Sequence, residues 1–151
     1  MKFICDEMLG TLAKWLRIFG YDTRYAKDMD DEKIIEIALK EDRIVLTRDK
    51  MLSRKALKGL YIEEKDLKKQ IERVVKKFKL DIEKNIFSRC TVCNIPVVGI
   101  ERDKVKGKVP ESVWKNNKEF WTCPKCGRIY WMGSHWENIK IKLKSFEDNL
   151  P

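Results

Sequence analysis

The chain has 151 residues, 43% hydrophobic and 38% charged, enough for one compact domain with a small appendage. Its formal net charge of +9 favours a polyanionic partner, nucleic acid above all; the plainer alternative is a heavily charged, solvated surface with no partner. Five cysteines, an odd number in C-x-x-C spacing with no apolar leader, exclude a secreted disulfide scaffold, and no apolar run reaches the length of a membrane span, so a cytoplasmic protein is expected.

Lys2-Phe3-Ile4-Cys5 reads as a short buried strand ending at Asp6. Apolar residues at 8, 9, 12, 15, 16 and 19 predict a helix that Gly20 stops. Residues 21–26 can form a second strand, with Asp22, just after Gly20-Tyr21, read as a turn residue. Asp30 or Asp31 then caps a helix through Ile34, Ile35, Ile37, Ala38 and Leu39. Arg43 to Thr47 is strongly β-prone and ends at Arg48-Asp49, Gly59 to Ile62 is a fourth strand, and spacing at 67, 71, 74, 75 and 78 predicts a helix. This alternation implies an α/β fold, a parallel sheet with crossover helices, in which ligands collect at the carboxyl ends of the strands. Asp6 and Asp49 both end predicted strands, so the sheet brings two distant carboxylates to one edge.

From Asn85 onward, turns, aromatics and cysteines replace the alternation, with short β-like pieces such as 97–100 and breaks at Gly107 and Pro110. A second small domain is expected from residue 86, with a loose tail from Lys144. Residues 1–87 carry net +4 and residues 88–151 net +5, so the shorter part is the more basic per residue. Lys, Glu and Ile are abundant and Gln is scarce, a bias common in proteins of hyperthermophiles.

Cys90-x-x-Cys93 and Cys123-x-x-Cys126, with Pro124 and Gly127 suited to a tight knuckle, supply four thiolates for a tetrahedral Zn²⁺. Four protein ligands leave no open position, so the metal is structural and supplies folding free energy to a loop-rich module. Cys5 reads as a small buried strand residue. The acidic set is less specific: Asp6 and Asp49 lead, with Asp28, Asp30 and Asp31 competing for a third place. Clustered carboxylates can hold Mg²⁺ or Mn²⁺ on a phosphodiester, whereas taken singly Asp30 or Asp31 is explained as a helix cap and Asp49 as a turn residue. Arg48 and Arg17 can contact phosphate, although structural pairing explains Arg17 equally well. The run 54–79, with ten basic and four acidic residues, can track a backbone or simply be a solvated helix face. Trp114, Phe120, Trp121, Tyr130, Trp131 and Trp136, interleaved with basic residues, can stack unpaired bases, while in a small ribbon most must be core. His135 can bind phosphate, act as an acid or base, or be structural.

Asp6-Glu7-Met8-Leu9-Gly10, Leu12-Ala13-Lys14-Trp15-Leu16-Arg17, Gly20-Tyr21-Asp22 and Leu46-Thr47-Arg48-Asp49 make up the first half of a recognisable pattern. Arg89-Cys90-x-x-Cys93-Asn94, Val109-Pro110, Phe120-Trp121-x-Cys123-Pro124-x-Cys126-Gly127 and Tyr130-Trp131-x-Gly133-Ser134-His135-Trp136 make up the second. Over roughly residues 2 to 140 this resembles the Mut-seven C-terminal RNase domain family. The resemblance implies a PIN-like nuclease domain over 1–85 and a zinc ribbon over 86–151 including the tail, acting as a metal-dependent ribonuclease. Carried over by position, Asp6 and Asp49 match acidic residues of the family's active site, and Asp31 takes the third place with Asp30 competing. Many PIN-like nucleases have a fourth acid after a later strand, for which Glu63, Glu64 and Asp66 are the candidates. With no separate exonuclease domain expected before this segment, any activity is expected of these residues.

The reading is that Asp6, Asp31 and Asp49 hold Mg²⁺ or Mn²⁺ that activates water, Arg48 helps hold the phosphate, and Arg17, Arg89, Trp131 and His135 contact RNA, expected to be single-stranded. Asp6→Asn is expected to abolish cleavage with the fold largely intact. The rivals are a non-catalytic RNA- or ribosome-binding adaptor and a zinc ribbon that docks another protein.

Overall fold

Phe3, Ile4 and Cys5 are fully buried, and a strand buried on both faces needs helices on both sides of its sheet. A computed structural model, which describes residues 1–133, Ile141 and Lys144, shows that arrangement. β1 (Lys2–Asp6), β2 (Asp22–Ala26), β3 (Ile44–Thr47) and β4 (Gly59–Tyr61) form an all-parallel sheet in the order β2-β1-β3-β4. A 3-10 turn, Glu7–Leu9, leads into α1 (Gly10–Ile18); α2 (Asp31–Glu41) joins β2 to β3, α3 (Lys50–Lys55) joins β3 to β4, and α4 (Leu67–Phe78) follows.

The pleat divides the core. Phe3, Cys5 and Leu46 pack with Leu12, Leu16, Phe19, Ile71 and Val74 of α1 and α4 and their flanks. Ile4 and Val45 pack on the other side with Ile34, Ile37 and Leu52 of α2 and α3. Phe3 meets Tyr21 and Phe78 edge to face at 6.1 and 5.6 Å. Phe3→Ala is expected to cost about 3–5 kcal/mol, read as a lower urea midpoint at unchanged slope.

A second sheet follows: β5 (Val98–Ile100), β6 (Phe120–Thr122) and β7 (Ile129–Tyr130), antiparallel in that order. Two short helices, α5 (Arg102–Val105) and α6 (Glu111–Asn116), fill the connection from β5 to β6, where the sequence suggested only β-like pieces and breaks. Trp114 of α6 belongs to this packing. Its indole N–H donates to the Arg102 carbonyl at 2.9 Å, and the Arg102 guanidinium lies 3.7 Å from the ring centroid.

The two sheets are joined along α1 and the outer edge of β2. Phe87 N–H donates to the Ile18 carbonyl at 2.8 Å. Gly20 has φ +94°, and a Cβ there would sit 2.4 Å from the Asn85 carbonyl oxygen, so only glycine lets the connecting segment pass. Thr23, fully buried, donates its N–H to Asn94 Oδ1 at 2.9 Å, and its carbonyl accepts from Arg17 Nε at 2.8 Å. Two side chains thus satisfy both backbone groups of Thr23 on the free edge of β2. Arg17 also donates to the Thr91 carbonyl at 2.8 Å, and Asn94 Nδ2 donates to Asp22 Oδ1 at 2.7 Å. Asn94→Ala leaves the Thr23 N–H without a partner and is expected to cost about 1–3 kcal/mol in chemical denaturation.

Asp22 is therefore not the turn residue the sequence suggested. It opens β2 and accepts from the buried Arg43 at 2.8 Å as well as from Asn94. Burial pulls its carboxyl upward, but these two hydrogen bonds outweigh that and hold it below the usual range. The stabilisation is then fully present above the ordinary Asp pKa of about 3.9 and is lost as pH falls through the lowered value. The stability gap between the parent and Asp22→Asn, followed by denaturation at a series of pH values, is expected to be widest near neutrality and to close below about pH 4.

Candidate functional site

β1 connects to β2 on one side, and the chain then crosses back to β3 on the other. Loops leaving the carboxyl ends of β1 and β3 therefore diverge, which in parallel sheets opens a crevice at that point. Asp6 closes β1 and Asp49 lies two residues beyond β3.

Buried Thr47 ties them together. Its hydroxyl donates to Asp6 Oδ2 at 2.5 Å and accepts the Asp49 N–H at 2.9 Å. Asp6 Oδ2 also accepts the Arg48 N–H at 2.8 Å, and Oδ1 accepts the Met8 N–H at 3.0 Å. Asp49 Oδ1 accepts from Met51 and Leu52 N–H at 2.8 and 3.3 Å, which caps α3. The turn role weighed for Asp49 is thus present as an N-cap, and Asp49 Oδ2 has no hydrogen-bond partner among the described residues. Thr47 lay inside a quoted motif, yet nothing in a linear sequence marks a strand-end threonine as the link between the Asp6 carboxylate and the Asp49 backbone.

The other acidic candidates stand apart. Asp30 is the N-cap of α2, its Oδ1 accepting the Lys33 N–H at 2.8 Å, and Asp31 is the first helical residue. Among the described residues, no set of three or more acidic ligand atoms lies within 4.8 Å, so Asp31 is not gathered with Asp6 and Asp49 to that distance. Beyond β4, Asp66 caps α4 and Glu64 pairs with Arg73 at 3.3 Å, while the exposed Glu63 carboxylate has neither engagement. Arg48 reaches back to the Glu63 carbonyl at 3.1 Å. Arg17, for which phosphate contact and structural pairing were both open, donates to the carbonyls of Thr23, Thr91 and Val92. Arg89 likewise donates to the Asn94 carbonyl at 2.6 Å. Cys5, beside Asp6, has its thiol pushed well above the ordinary range, chiefly by burial and further by the Asp6 charge, and so is no nucleophile.

The four remaining cysteines converge, their sulfurs all within 4.8 Å of one another. Cys90 and Cys126 sulfurs are 3.8 Å apart, the separation that two ligands 2.3 Å from a tetrahedral Zn²⁺ must have, about 3.8 Å. Each knuckle repeats one contact: Cys93 N–H to Cys90 Sγ at 3.3 Å and Cys126 N–H to Cys123 Sγ at 3.5 Å. Tyr130 adds its hydroxyl to Cys90 Sγ at 3.1 Å. Burial opposes the Cys90 thiolate, but bonds from Tyr130 and from backbone N–H groups bring its pKa down to about 6. Cys93 is pushed up to about 12 by burial and by the neighbouring thiols. Four sulfurs at this spacing fit a tetrahedral Zn²⁺.

Of the aromatics, Phe120 is buried and Trp121, Tyr130 and Trp131 are half-buried. His135 and Trp136 lie outside the described residues. Among the described residues, no helix is long and apolar enough to cross a membrane.

The model of the Mut7-C RNAse domain family matches residues 1–143. The exonuclease mut-7 homolog of Homo sapiens is 32% identical over 114 residues, which cover 70% of this chain and 13% of that protein. The chain thus spans about an eighth of that relative's length. No solved structure gives a significant match.

Proposed function

The chain belongs to the Mut7-C RNAse domain family, and from that premise we propose that it hydrolyses RNA phosphodiester bonds at the carboxyl edge of its parallel sheet. The observation that carries the proposal is the placing of Asp6 and Asp49 at the point where the loops diverge, with one buried hydroxyl bonded to the Asp6 carboxylate and to the Asp49 backbone N–H. Mg²⁺ is typically held by one or two carboxylates together with water and the substrate's phosphate, and a two-carboxylate edge fits that donor set. When bound there, Mg²⁺ or Mn²⁺ supplies an activated water and neutralises charge on the phosphate. Asp6 and Asp49 are the direct ligands, Asp31 the outer third with Asp30 beside it, and Glu63 the fourth acid.

Thr47 orients Asp6, and Arg48, anchored on the Glu63 carbonyl, holds the phosphate. In this reading, residues 1–85 form a PIN-like catalytic unit. Residues 86–151 form a zinc ribbon that adds basic and aromatic contacts to single-stranded RNA. Arg17 and Arg89, engaged with the knuckle, position that ribbon.

The test is cleavage of an end-labelled single-stranded RNA by zinc-loaded protein in Mg²⁺, in Mn²⁺ or in neither. Cleavage that appears only with a divalent cation is expected. RNA retained without any cleavage in either metal would replace this reading with that of a non-catalytic adaptor.

A further inference from the structure

Away from the acidic edge, two clefts flank the end of the second sheet. One, of about 300 Å³, is lined by Phe87, Val97, Trp121, Tyr130, Trp131 and Met132 among others. The other, of about 380 Å³, shares Tyr130 and Trp131 but adds Lys108, Arg128 and the backbone of Gly127. The shared walls are held from behind. Tyr130 is tied through its hydroxyl to Cys90 Sγ, and the Trp131 indole rests on Gly133, where an added Cβ would lie 3.0 Å from Cδ1 and Nε1. The first lobe is apolar and aromatic, at the small end of the range for ligand pockets. The second carries two cations, in the half of the chain that holds net +5.

We propose that this pair of lobes is a nucleobase pocket, resting on the RNA-hydrolase reading above: an unpaired RNA base enters the aromatic lobe against Trp131, and its phosphate lies over Lys108 and Arg128. Charge complementarity selects this occupant, because an apolar side chain of a protein partner would fill the first lobe and leave the cations of the second unused. Stacking on an aromatic face tolerates any base, so the pocket selects for strands whose bases are free rather than for a sequence. It tethers the strand at a second point, on a different sheet from the carboxylates.

The test uses the full zinc-loaded chain and fluorescence anisotropy without added Mg²⁺ or Mn²⁺, where no cleavage is expected, with a short unstructured RNA and with an abasic ribose-phosphate oligomer of the same length. Trp131→Leu keeps apolar bulk without a stacking face, and Trp131→Phe restores the face. Trp131→Leu is expected to bind the RNA roughly 10-fold more weakly, Trp131→Phe nearly as well as the parent, and all three to bind the abasic oligomer alike. Lys108→Ala with Arg128→Ala is expected to weaken both oligomers and to reduce the salt slope by about 1.4. Equal losses of Trp131→Leu on both oligomers, or no loss on the RNA, would overturn the pocket. The two readings fail separately. Base-dependent binding with no divalent-dependent cleavage of natural RNA leaves the pocket and removes the nuclease. Cleavage with no effect at Trp131 does the reverse.

Discussion

Asp49→Asn is expected to lower RNA cleavage by at least about 100-fold while leaving stability within about 0.5 kcal/mol of the parent. The asymmetry follows from how the carboxylate is used. Only Asp49 Oδ1 is engaged in the fold, as the cap of α3, and asparagine caps a helix as well as aspartate does. The substitution therefore removes the charge that would face a metal and little else. Asp6 is different, because both of its oxygens accept from donors: Met8 N–H on one side, the Thr47 hydroxyl and Arg48 N–H on the other. An asparagine there must turn its amide N–H toward one of these, setting donor against donor at a cost of about 1–3 kcal/mol. Asp6→Asn is thus expected to lose both cleavage and stability, which revises the expectation from sequence that its fold survives largely intact. Single-turnover cleavage beside urea denaturation separates the two effects, and a full-rate Asp49→Asn enzyme would exclude the acidic edge as the site.

Zinc removal is expected to unfold the second sheet outright. Zinc binding in small finger peptides is worth about 10–16 kcal/mol, as much as the whole stability of a typical domain. Cys126→Ala tests this without confounding, since Cys126 is exposed and its truncation removes a ligand rather than core volume. Amide exchange is the readout. Protection at 98–100 and 120–122 should vanish, while β1 and β3, with their own two-sided core, should keep theirs. One amide should behave against its location. Thr23 is fully buried in the parallel sheet, but its N–H is held by Asn94 of the knuckle, so it should exchange faster once the metal is gone. Unchanged Thr23 protection in a zinc-free protein would show that the clamp stands without the metal.

Much of this architecture is legible in the sequence because its elements carry a period. α4 runs from Leu67 to Phe78 as its apolar spacing predicts, and β1 and β3 announce themselves as short runs of Phe, Ile, Val and Leu. The helix expected from residue 8 instead divides into a 3-10 turn and α1, because Asp6 caps the turn before the helix begins. α3, α5 and α6 span four to six residues, too short for any period to register. The cysteine centre is legible because ligand spacing is a local property. Asp22 is misjudged, Asn94 passed over and Arg17 left undecided because their contacts are made across 71 to 75 residues, by partners that no spacing rule connects.

The way Asn94 covers Thr23 on the outer edge of β2 has a consequence for how the chain is made. All four strands of the parallel sheet are complete by residue 61, yet Asn94 follows more than thirty residues later. On the ribosome, an N-terminal unit folds before the rest has emerged, and here it would do so with the Thr23 N–H on that strand edge uncovered. Such an edge is a template for pairing with another chain. The knuckle thus acts as a late-arriving guard on a strand made early. Zinc starvation during synthesis is expected to drive nascent copies into insoluble sheet-to-sheet association, not merely to yield an unfolded tail.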